Sequence, residues 1–459
     1  MNEQLIKQFE AIVSPNGLLQ GKELSLRATD PFGISFCQSK LLIRPINTDE
    51  LSQVMKLCHQ HKQPVVTHGG LTGLVGGAST TAETIVISLE RMNKIEEIDS
   101  QQRTMTVQAG VPLQTVQEQA EEQALYYPID LGARGSATIG GTIATNAGGN
   151  RVVRYGMTRE SVLGLEVVLA DGTVITSMSK VVKNNAGYNL PQIFIGSEGT
   201  LGIVTRAVLR LRTKPKGEAT TLVALKDFHQ LSHLLTTAET ELAGGLSSFE
   251  VMWHSFYKLV TDSPRHTPPI SQEYPYYVII ESQGRSDTEE QDKLLAMLEV
   301  AFEQKLIADA VLSQSSTEKE KIWAIRDDVE TLMQLSPLYA FDISLPTKAI
   351  PSYLEKLQQQ LDSIWHKNHC VVFGHLGDGN LHIIISAGTP KDKVTIEEFV
   401  YGGLKGLQGS ISAEHGIGLE KINYLKYTRT DNEIKLMATI KRALDPMNLL
   451  NPGKVIPQP

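Results

Sequence analysis

The spacing of hydrophobic and polar positions divides the chain into three parts. Between Leu42 and Leu211, short β-branched runs alternate with helical stretches, and VLGLEVVLADGTVIT has the form of a β-hairpin that turns at Asp171-Gly172. From Thr220 to Ser386, the order strand, helix, strand, strand, helix, strand matches a ferredoxin-like unit. The tail from Thr395 has helical spacing. The pattern predicts an α+β protein.

A polar link from Thr213 to Glu218 marks the first domain boundary. We predict one domain over residues 1–217, with its core over 38–217, and a second over 218–394. A helical C-terminal segment follows over 395–459. Within 218–394, the spacing also predicts a helix over Glu318–Leu335.

The composition fits a globular enzyme and excludes several other classes. The 459 residues include 41% hydrophobic and 20% charged residues, unlike a disordered chain. Acidic residues outnumber basic ones by 51 to 43, which argues against a nucleic-acid partner. The three cysteines (Cys37, Cys58 and Cys370) give no disulfide framework, and neither a transmembrane segment nor a targeting peptide is visible. We therefore expect a cytoplasmic protein.

Glycines are concentrated in three clusters, of which THGGLTGLVGGAS is the first. A Rossmann dinucleotide site needs its glycines to open a helix, but here the strand ETIVISL follows. A loop that exposes several backbone amides can still bind a pyrophosphate. The alternative is a purely structural glycine-rich turn.

The other two clusters favour a ligand. Residues 128–149 and 194–204 are rich in glycine, small residues and hydroxyl groups, which suits a flat ligand that lies against the backbone. Three such clusters in one domain predict a large, planar cofactor that carries phosphate groups.

Together the clusters resemble the FAD-binding domain of the vanillyl-alcohol oxidase-type (PCMH-type) flavoproteins. From Leu42 to Val455 the chain is similar to the branch that contains D-2-hydroxyglutarate dehydrogenase, D-lactate dehydrogenase and the glycolate oxidase flavin subunit. The resemblance implies an FAD-binding domain of two α+β subdomains and a substrate (cap) domain. The implied FAD neighbours are His68, Gly69, Gly70, Thr72, Gly73, Pro128, Gly132, Ser136, Gly141, Thr145, Asn146, Gly148, Glu198, Gly199, Val204 and Asn451.

His68 has two interpretations under this resemblance. Some relatives attach FAD covalently through a histidine, which would make His68 the attachment point. The branch itself usually holds FAD noncovalently, so we expect noncovalent FAD with His68 as a polar side chain beside the phosphates.

A second motif, CVVFGHLGDGNLHIII, predicts a metal hairpin. With Asp378-Gly379 as a two-residue turn, His375 lies directly opposite His382, with Cβ atoms about 5 Å apart on one face. That placement suits two ligands of one metal ion, although a structural pair of histidines is the alternative. Cys370 has the opposite parity and is expected to point to the other face.

The segment SAEHGIG offers a third ligand in Glu414. Two histidines and a glutamate with an open position are typical of a catalytic zinc site. The resemblance implies Zn²⁺ or Mn²⁺ on His375, His382 and Glu414, and it makes His415 the catalytic base.

Arg326 is the candidate for substrate binding. Its alternatives are an exposed i,i+4 pair with Glu330 or, as the resemblance implies, binding of the substrate's 1-carboxylate. The chain departs from well-known 2-hydroxyglutarate dehydrogenases, which carry Thr, Lys and Asn where this chain has Glu330, Ala340 and Ile384. Recognition of a second carboxylate is therefore open.

The resemblance implies an FAD-dependent dehydrogenase that oxidises a D-2-hydroxy acid, with D-2-hydroxyglutarate as the leading candidate and D-lactate or glycolate as alternatives. The electron acceptor would be an electron-transferring flavoprotein, a quinone or a cytochrome, and a homodimer is left open. Two alternatives from other classes are a zinc hydrolase with a regulatory nucleotide site and a noncatalytic flavin-binding subunit of a larger oxidase.

Overall fold

The computed structural model describes residues 3–457, so the outermost ends of the predicted domains, residues 1–2 and 458–459, lie outside it. The chain forms two compact units. Of the described residues, unit 1 comprises 3–148, 156–214 and 414–457, and unit 2 comprises Gly149–Tyr155 and Pro215–Ala413. The predicted C-terminal segment 395–459 is thus divided at Glu414, and residues 149–155 of the predicted first domain belong to unit 2.

The elements alternate throughout. The helices are α1 Glu3–Ile12, α2 Lys22–Ser25, α3 Thr48–Gln60, α4 Leu113–Glu122, α5 Ile139–Thr145, α6 Val152–Tyr155, α7 Pro191–Phe194, α8 Phe228–Glu241, α9 His254–Thr261, α10 Asp287–Glu303, α11 Ser316–Arg326, α12 Val329–Leu332, α13 Ile350–Ile364, α14 Lys393–Gly402 and α15 Asp431–Leu444. The strands are β1 Leu18–Leu19, β2 Leu42–Ile43, β3 Val65–His68, β4 Ile85–Ser88, β5 Ile95–Asp99, β6 Thr104–Gln108, β7 Leu125–Tyr126, β8 Val162–Val168, β9 Val174–Ser177, β10 Ile203–Arg210, β11 Arg212–Thr213, β12 Gly217–Leu225, β13 Leu246–Trp253, β14 Tyr276–Gly284, β15 Asp309–Leu312, β16 Tyr339–Ser344, β17 His369–His375 and β18 Asn380–Ser386. This mixture confirms the predicted α+β class.

Unit 1 contains two principal sheets. One has the order β1-β2-β4-β3, in which β2, β4 and β3 are parallel, and the other is antiparallel with the order β5-β6-β10-β8-β9. The first glycine cluster joins β3 to its parallel neighbour β4 without a helix between them. The predicted hairpin is confirmed as β8–β9, with Gly172 at φ 84 in its turn. Val107, Ile139 and Val167 lie in the apolar core.

Unit 2 is built on one seven-stranded sheet of order β15-β12-β14-β13-β17-β18-β16. Its first four strands, with α8 and α10 between them in the chain, have the order of a ferredoxin-like unit, as the sequence predicts. Strands β17, β18 and β16 extend the same sheet beyond β13. The predicted metal hairpin is therefore one part of a continuous antiparallel sheet.

The prediction of one helix over Glu318–Leu335 is wrong. Helix α11 ends at Arg326, and α12 begins at Val329. The cause is local: the Asp328 carboxylate accepts hydrogen bonds from the Thr331 backbone N–H (3.0 Å) and from its hydroxyl (2.7 Å). An aspartate that caps a new helix in this way competes with continuation of the preceding one.

No helix within residues 3–457 is long and apolar enough to cross a membrane.

Candidate active site

The glycine clusters of unit 1 line two neighbouring cavities. The larger, of about 350 Å³, is lined by the first two clusters together with Glu198 and Asn451. The smaller, of about 80 Å³, adds Gly199 and Val204 from the third cluster. The larger volume lies within the range typical of small-molecule and cofactor sites, roughly 300–1,000 Å³.

Close backbone approach explains glycine at position 70. A Cβ atom on Gly70 would lie 2.0 Å from the carbonyl oxygen of Ser136, so only glycine lets the first cluster pack on the second. At Gly73 and Gly132 a Cβ atom would meet nothing within 4 Å. Both of these residues line the larger cavity, where the missing side chains leave space for a ligand.

The structure brings most of the predicted FAD neighbours to these cavities. Those that line at least one of them are Gly69, Gly70, Thr72, Gly73, Gly132, Gly141, Thr145, Gly148, Glu198, Gly199, Val204 and Asn451. His68, Pro128, Ser136 and Asn146 line neither cavity.

His68 differs most from its predicted place beside the phosphates. Its side chain is buried, and Nε2 lies 2.8 Å from the carbonyl oxygen of Ala78. Burial lowers the pKa of His68 to about 4, so the imidazole is neutral and donates to that carbonyl. Asn146 is also engaged elsewhere, because its Oδ1 accepts a hydrogen bond from the Arg159 backbone N–H (2.9 Å).

Two threonines that line both cavities were not predicted from the sequence. Thr67 lines both cavities, and its buried hydroxyl has no hydrogen-bond partner among residues 3–457. A buried polar group without a partner points to a ligand contact. Thr138 also lines both cavities and caps α5 through the Gly141 backbone N–H (3.4 Å). Threonine directly before Ile-Gly-Gly is a capping signal that could have identified it.

Glu414 and His415 line the larger cavity together with the glycine clusters. The predicted catalytic base therefore lies on the wall of the predicted cofactor cavity, within unit 1.

The histidine pair of the metal hairpin belongs to unit 2, and its predicted register is wrong. His382 lies opposite Phe373, not His375. The connection is longer than two residues because Leu376–Asp378 form a 3₁₀ turn that ends at Gly379 with φ 79. His375 and Phe373 have the same parity, so both imidazoles still share one face of the sheet as diagonal neighbours.

The two imidazoles meet through their Nε2 atoms, which are 3.4 Å apart. Nδ1 of His375 donates to the Glu250 carboxylate (2.6 Å), and Nδ1 of His382 lies 4.0 Å from Oδ1 of Asp342, its neighbour on β16. Nitrogens about 2.0–2.1 Å from a tetrahedral zinc ion lie roughly 3.3–3.4 Å apart. The spacing and the carboxylates behind both rings fit two ligands of one metal ion.

Arg326 forms a polar corner of unit 2 together with Glu250, His375 and His382. Its Nε donates to Oε2 of Glu250 (3.0 Å), and its guanidinium lies 4.7 Å from the centroid of the Phe373 ring. Among residues 3–457 its two terminal nitrogens have no polar partner. These nitrogens can bind a carboxylate in a bidentate manner. The alternative pair with Glu330 is absent, because Glu330 is exposed and pairs with Arg265.

In unit 2, sequence reasoning missed Glu250. It is 1% exposed, and its two oxygens are divided between Arg326 and His375. Burial alone would raise the pKa of this carboxyl, but His375 and Arg326 together hold the pKa below its usual value. No motif contains Glu250, since it lies in an apolar strand, FEVMW, far from both partners in sequence.

The residues beside this corner are apolar. Ile384 is buried in the cluster that contains Phe373 and Ile322. It lies directly opposite Ala340 on β16, so two of the three departures noted from the sequence are neighbours. By strand alternation, Ile384 has the parity of His382.

Comparison with known proteins matches both parts of the chain to families. Residues 39–177 match the FAD binding domain family, and residues 214–455 match the family of FAD linked oxidases, C-terminal domain. D-2-hydroxyglutarate dehydrogenase of Xanthomonas citri is 41% identical over 90% of this chain and 88% of its own. The mitochondrial D-2-hydroxyglutarate dehydrogenase of Arabidopsis thaliana is 37% identical over 98% and 81%. The crystal structure of p-cresol methylhydroxylase with substrate bound has a TM-score of 0.77 at 15% identity over 99% and 96%, which shows the fold.

Replacing Glu250 by glutamine tests the shared carboxylate. We expect E250Q to lower the free energy of unfolding by about 3–5 kcal/mol, because Arg326 would lose the counter-charge for a buried cation. Denaturant unfolding followed by circular dichroism measures this. The control is D262N, which removes an exposed pair with Lys258 in the same unit and should have no measurable effect. Equal loss in the two variants would contradict the expectation.

Proposed function

The chain belongs to the FAD-linked oxidases, and on that basis we propose that it is an FAD-dependent dehydrogenase that oxidises a D-2-hydroxy acid to the 2-oxo acid. The leading substrate is D-2-hydroxyglutarate, which the names of its relatives support. The observation that carries the proposal is the free edge of Arg326 beside the His375–His382 pair. A 2-hydroxy acid presents a carboxylate and a hydroxyl on adjacent carbons, which these groups can bind together.

The cavities of unit 1 fit FAD. Gly73 and Gly132 leave open space on the wall, and the Thr67 hydroxyl is available as a donor. Bound there, FAD would supply the hydride acceptor for oxidation at the substrate's C2. We propose that it is held noncovalently, because the His68 ring is buried against Ala78 and is not part of the cavity wall.

The histidine pair fits a divalent ion, Zn²⁺ or Mn²⁺. His375 and His382 would bind it through Nε2, while Glu250 and Asp342 orient the rings. Such an ion lowers the pKa of a bound hydroxyl group. The third ligand, Glu414, and the role of His415 as the base that takes the hydroxyl proton are proposals that rest on the resemblance.

The electron acceptor, the cytoplasmic location and a homodimer stay predictions. An electron-transferring flavoprotein, a quinone and a cytochrome are equal alternatives for the acceptor. The Arabidopsis relative is named mitochondrial, and the Xanthomonas relative is not.

A single-turnover experiment tests the proposed reaction. Under anaerobic conditions, a D-2-hydroxy acid should bleach the flavin absorbance of the purified protein, and the L-enantiomer should not. In steady-state assays, R326K should lower kcat/KM for the D-2-hydroxy acid by roughly 10–100-fold, because lysine cannot reproduce a bidentate contact. A colourless protein would favour the zinc hydrolase. A yellow protein that no member of an acid panel bleaches would favour the noncatalytic subunit.

Removing either histidine tests the metal. H375A and H382A should abolish turnover with D-2-hydroxy acids while FAD stays bound, because the flavin cavity lies in unit 1 and does not include them. Chelation should inactivate the wild type, and Zn²⁺ or Mn²⁺ should restore it. The matched control is H369A, which removes an exposed histidine at the start of the same strand. Full activity after thorough chelation would refute the metal proposal.

The ratio of kcat/KM for D-2-hydroxyglutarate to that for D-lactate tests the substrate. We expect a ratio above one in the wild type and a rise of at least roughly tenfold in the double variant A340K/I384N, because a second cation lowers the cost of burying the distal carboxylate. A340M/I384N controls for side-chain length without the charge. A wild-type ratio well below one would make D-lactate the substrate.

A further inference from the structure

We propose that Glu198 is a positioning residue that holds the loop of His415 against the third glycine cluster. The loop is Glu414–Gly418, and this inference rests on the proposed role of His415 as the base. Glu198 itself was predicted only as an FAD neighbour.

The contact is made by both oxygens of the Glu198 carboxylate. Oε1 accepts a hydrogen bond from the Ile417 backbone N–H (2.7 Å), and Oε2 accepts one from the Gly418 backbone N–H (2.9 Å). Gly416 and Gly418 have φ angles of 84 and 51. Consecutive amides that face one acceptor in this way form a nest for an anion, and here the anion is a side chain of the protein.

The loop also packs directly on the carboxylate. A Cβ atom on Gly416 would lie 2.7 Å from Oε1 of Glu198, and one on Gly418 would lie 2.0 Å from the carbonyl oxygen of Val75. A side chain at Gly418 would require the backbone to move, and one at Gly416 would displace the Glu198 carboxylate. The glycines that permit this approach also leave the loop free to adopt other conformations once the carboxylate is removed.

The backbone of Glu198 is tied to two other parts of the cavity wall. Its N–H donates to the Ala144 carbonyl at the end of α5 (2.8 Å), and its carbonyl accepts from Nδ2 of Asn451 (2.6 Å). These bonds fix the point from which the side chain reaches the loop. The Glu198 carboxylate thus fixes the position of the His415 loop relative to the wall of the flavin cavity.

The backbone conformation of Glu198 indicates that its side chain has a role that glycine could not fill. Its φ is 51, in the left-handed region, which is unfavourable for a residue with a Cβ atom relative to the right-handed region. Glycine would adopt this φ freely, as the neighbouring Gly199 does at 69. The two hydrogen bonds to the loop offset that cost, and glycine could not make them.

Position matters because a general base acts only within hydrogen-bond reach of its proton. His415 immediately precedes Gly416 and lies on the cavity wall. A displacement of about 1 Å can lower the rate by roughly a hundredfold. The carboxylate contact therefore bears on kcat more than on binding of the acid, which the proposal assigns to Arg326 in unit 2.

E198Q tests the inference on the full-length, FAD-loaded protein. Glutamine keeps one acceptor oxygen but turns an NH₂ group toward the second amide, so one hydrogen bond is replaced by a donor–donor contact. We expect kcat to fall by roughly 10–100-fold, with FAD occupancy and KM for the acid unchanged, and a larger fall in E198A. Hydrogen–deuterium exchange should be faster at the amides of Ile417 and Gly418 in both variants.

The matched control is E166Q, since Glu166 is also a buried carboxylate of unit 1 but binds Thr48 on α3 (2.5 Å) and, on β10, Thr205 (3.0 Å) and Arg206 (3.3 Å). E166Q should leave the exchange of the loop and kcat unchanged. Unchanged exchange in E198Q, or a loss confined to FAD occupancy or KM, would overturn the inference. An inactive wild type would instead refute the proposed function, while the exchange comparison would still report on the contact.

Discussion

Glu250 carries a full negative charge inside unit 2 because two partners stay in place around it. Arg326 comes from helix α11 and His375 from the end of strand β17, and both contact the same carboxylate. Either partner alone would leave the other carboxylate oxygen buried without a hydrogen bond. The relative positions of the Arg326 guanidinium and the His375 imidazole, which we propose to bind the substrate and a metal ion, therefore depend on one side chain of β13. A register shift of one residue in that strand would turn Glu250 to the opposite face of the sheet, and Arg326 and His375 would lose their shared partner.

Unit 1 uses the same chemistry in a different form. Glu198 accepts from two backbone amides of a glycine loop, whereas Glu250 accepts from two side chains. In both cases a buried carboxylate holds its partners in place: Glu198 holds a glycine-rich loop, and Glu250 holds two side chains that are distant in the chain. Carboxylates suit this task because they accept several hydrogen bonds and favour partners that carry positive charge.

Two of the corrections to the sequence predictions have local causes with different consequences. A 3₁₀ turn at Leu376–Asp378 lengthens the hairpin, yet parity is preserved and the histidines still meet. A cap at Asp328 ends α11, and the predicted neighbour Glu330 becomes an exposed residue paired with Arg265. The first error left the candidate site intact. The second removed the alternative interpretation of Arg326 as half of a surface pair.

The sequence by itself determined the features that depend on neighbours along the chain. Alternation and turn residues were sufficient for the ferredoxin-like order, for the β8–β9 hairpin and for the shared face of His375 and His382. Glycine clusters without a following helix were sufficient to predict a cofactor cavity. The tertiary structure alone decided that Glu250 joins Arg326 to His375, that His68 turns away from the cavity, and that Glu198 binds the loop after His415. Each of these contacts either joins residues that are distant in the chain or depends on the direction in which a buried side chain turns. Such contacts produce no periodic pattern and no characteristic spacing in the sequence.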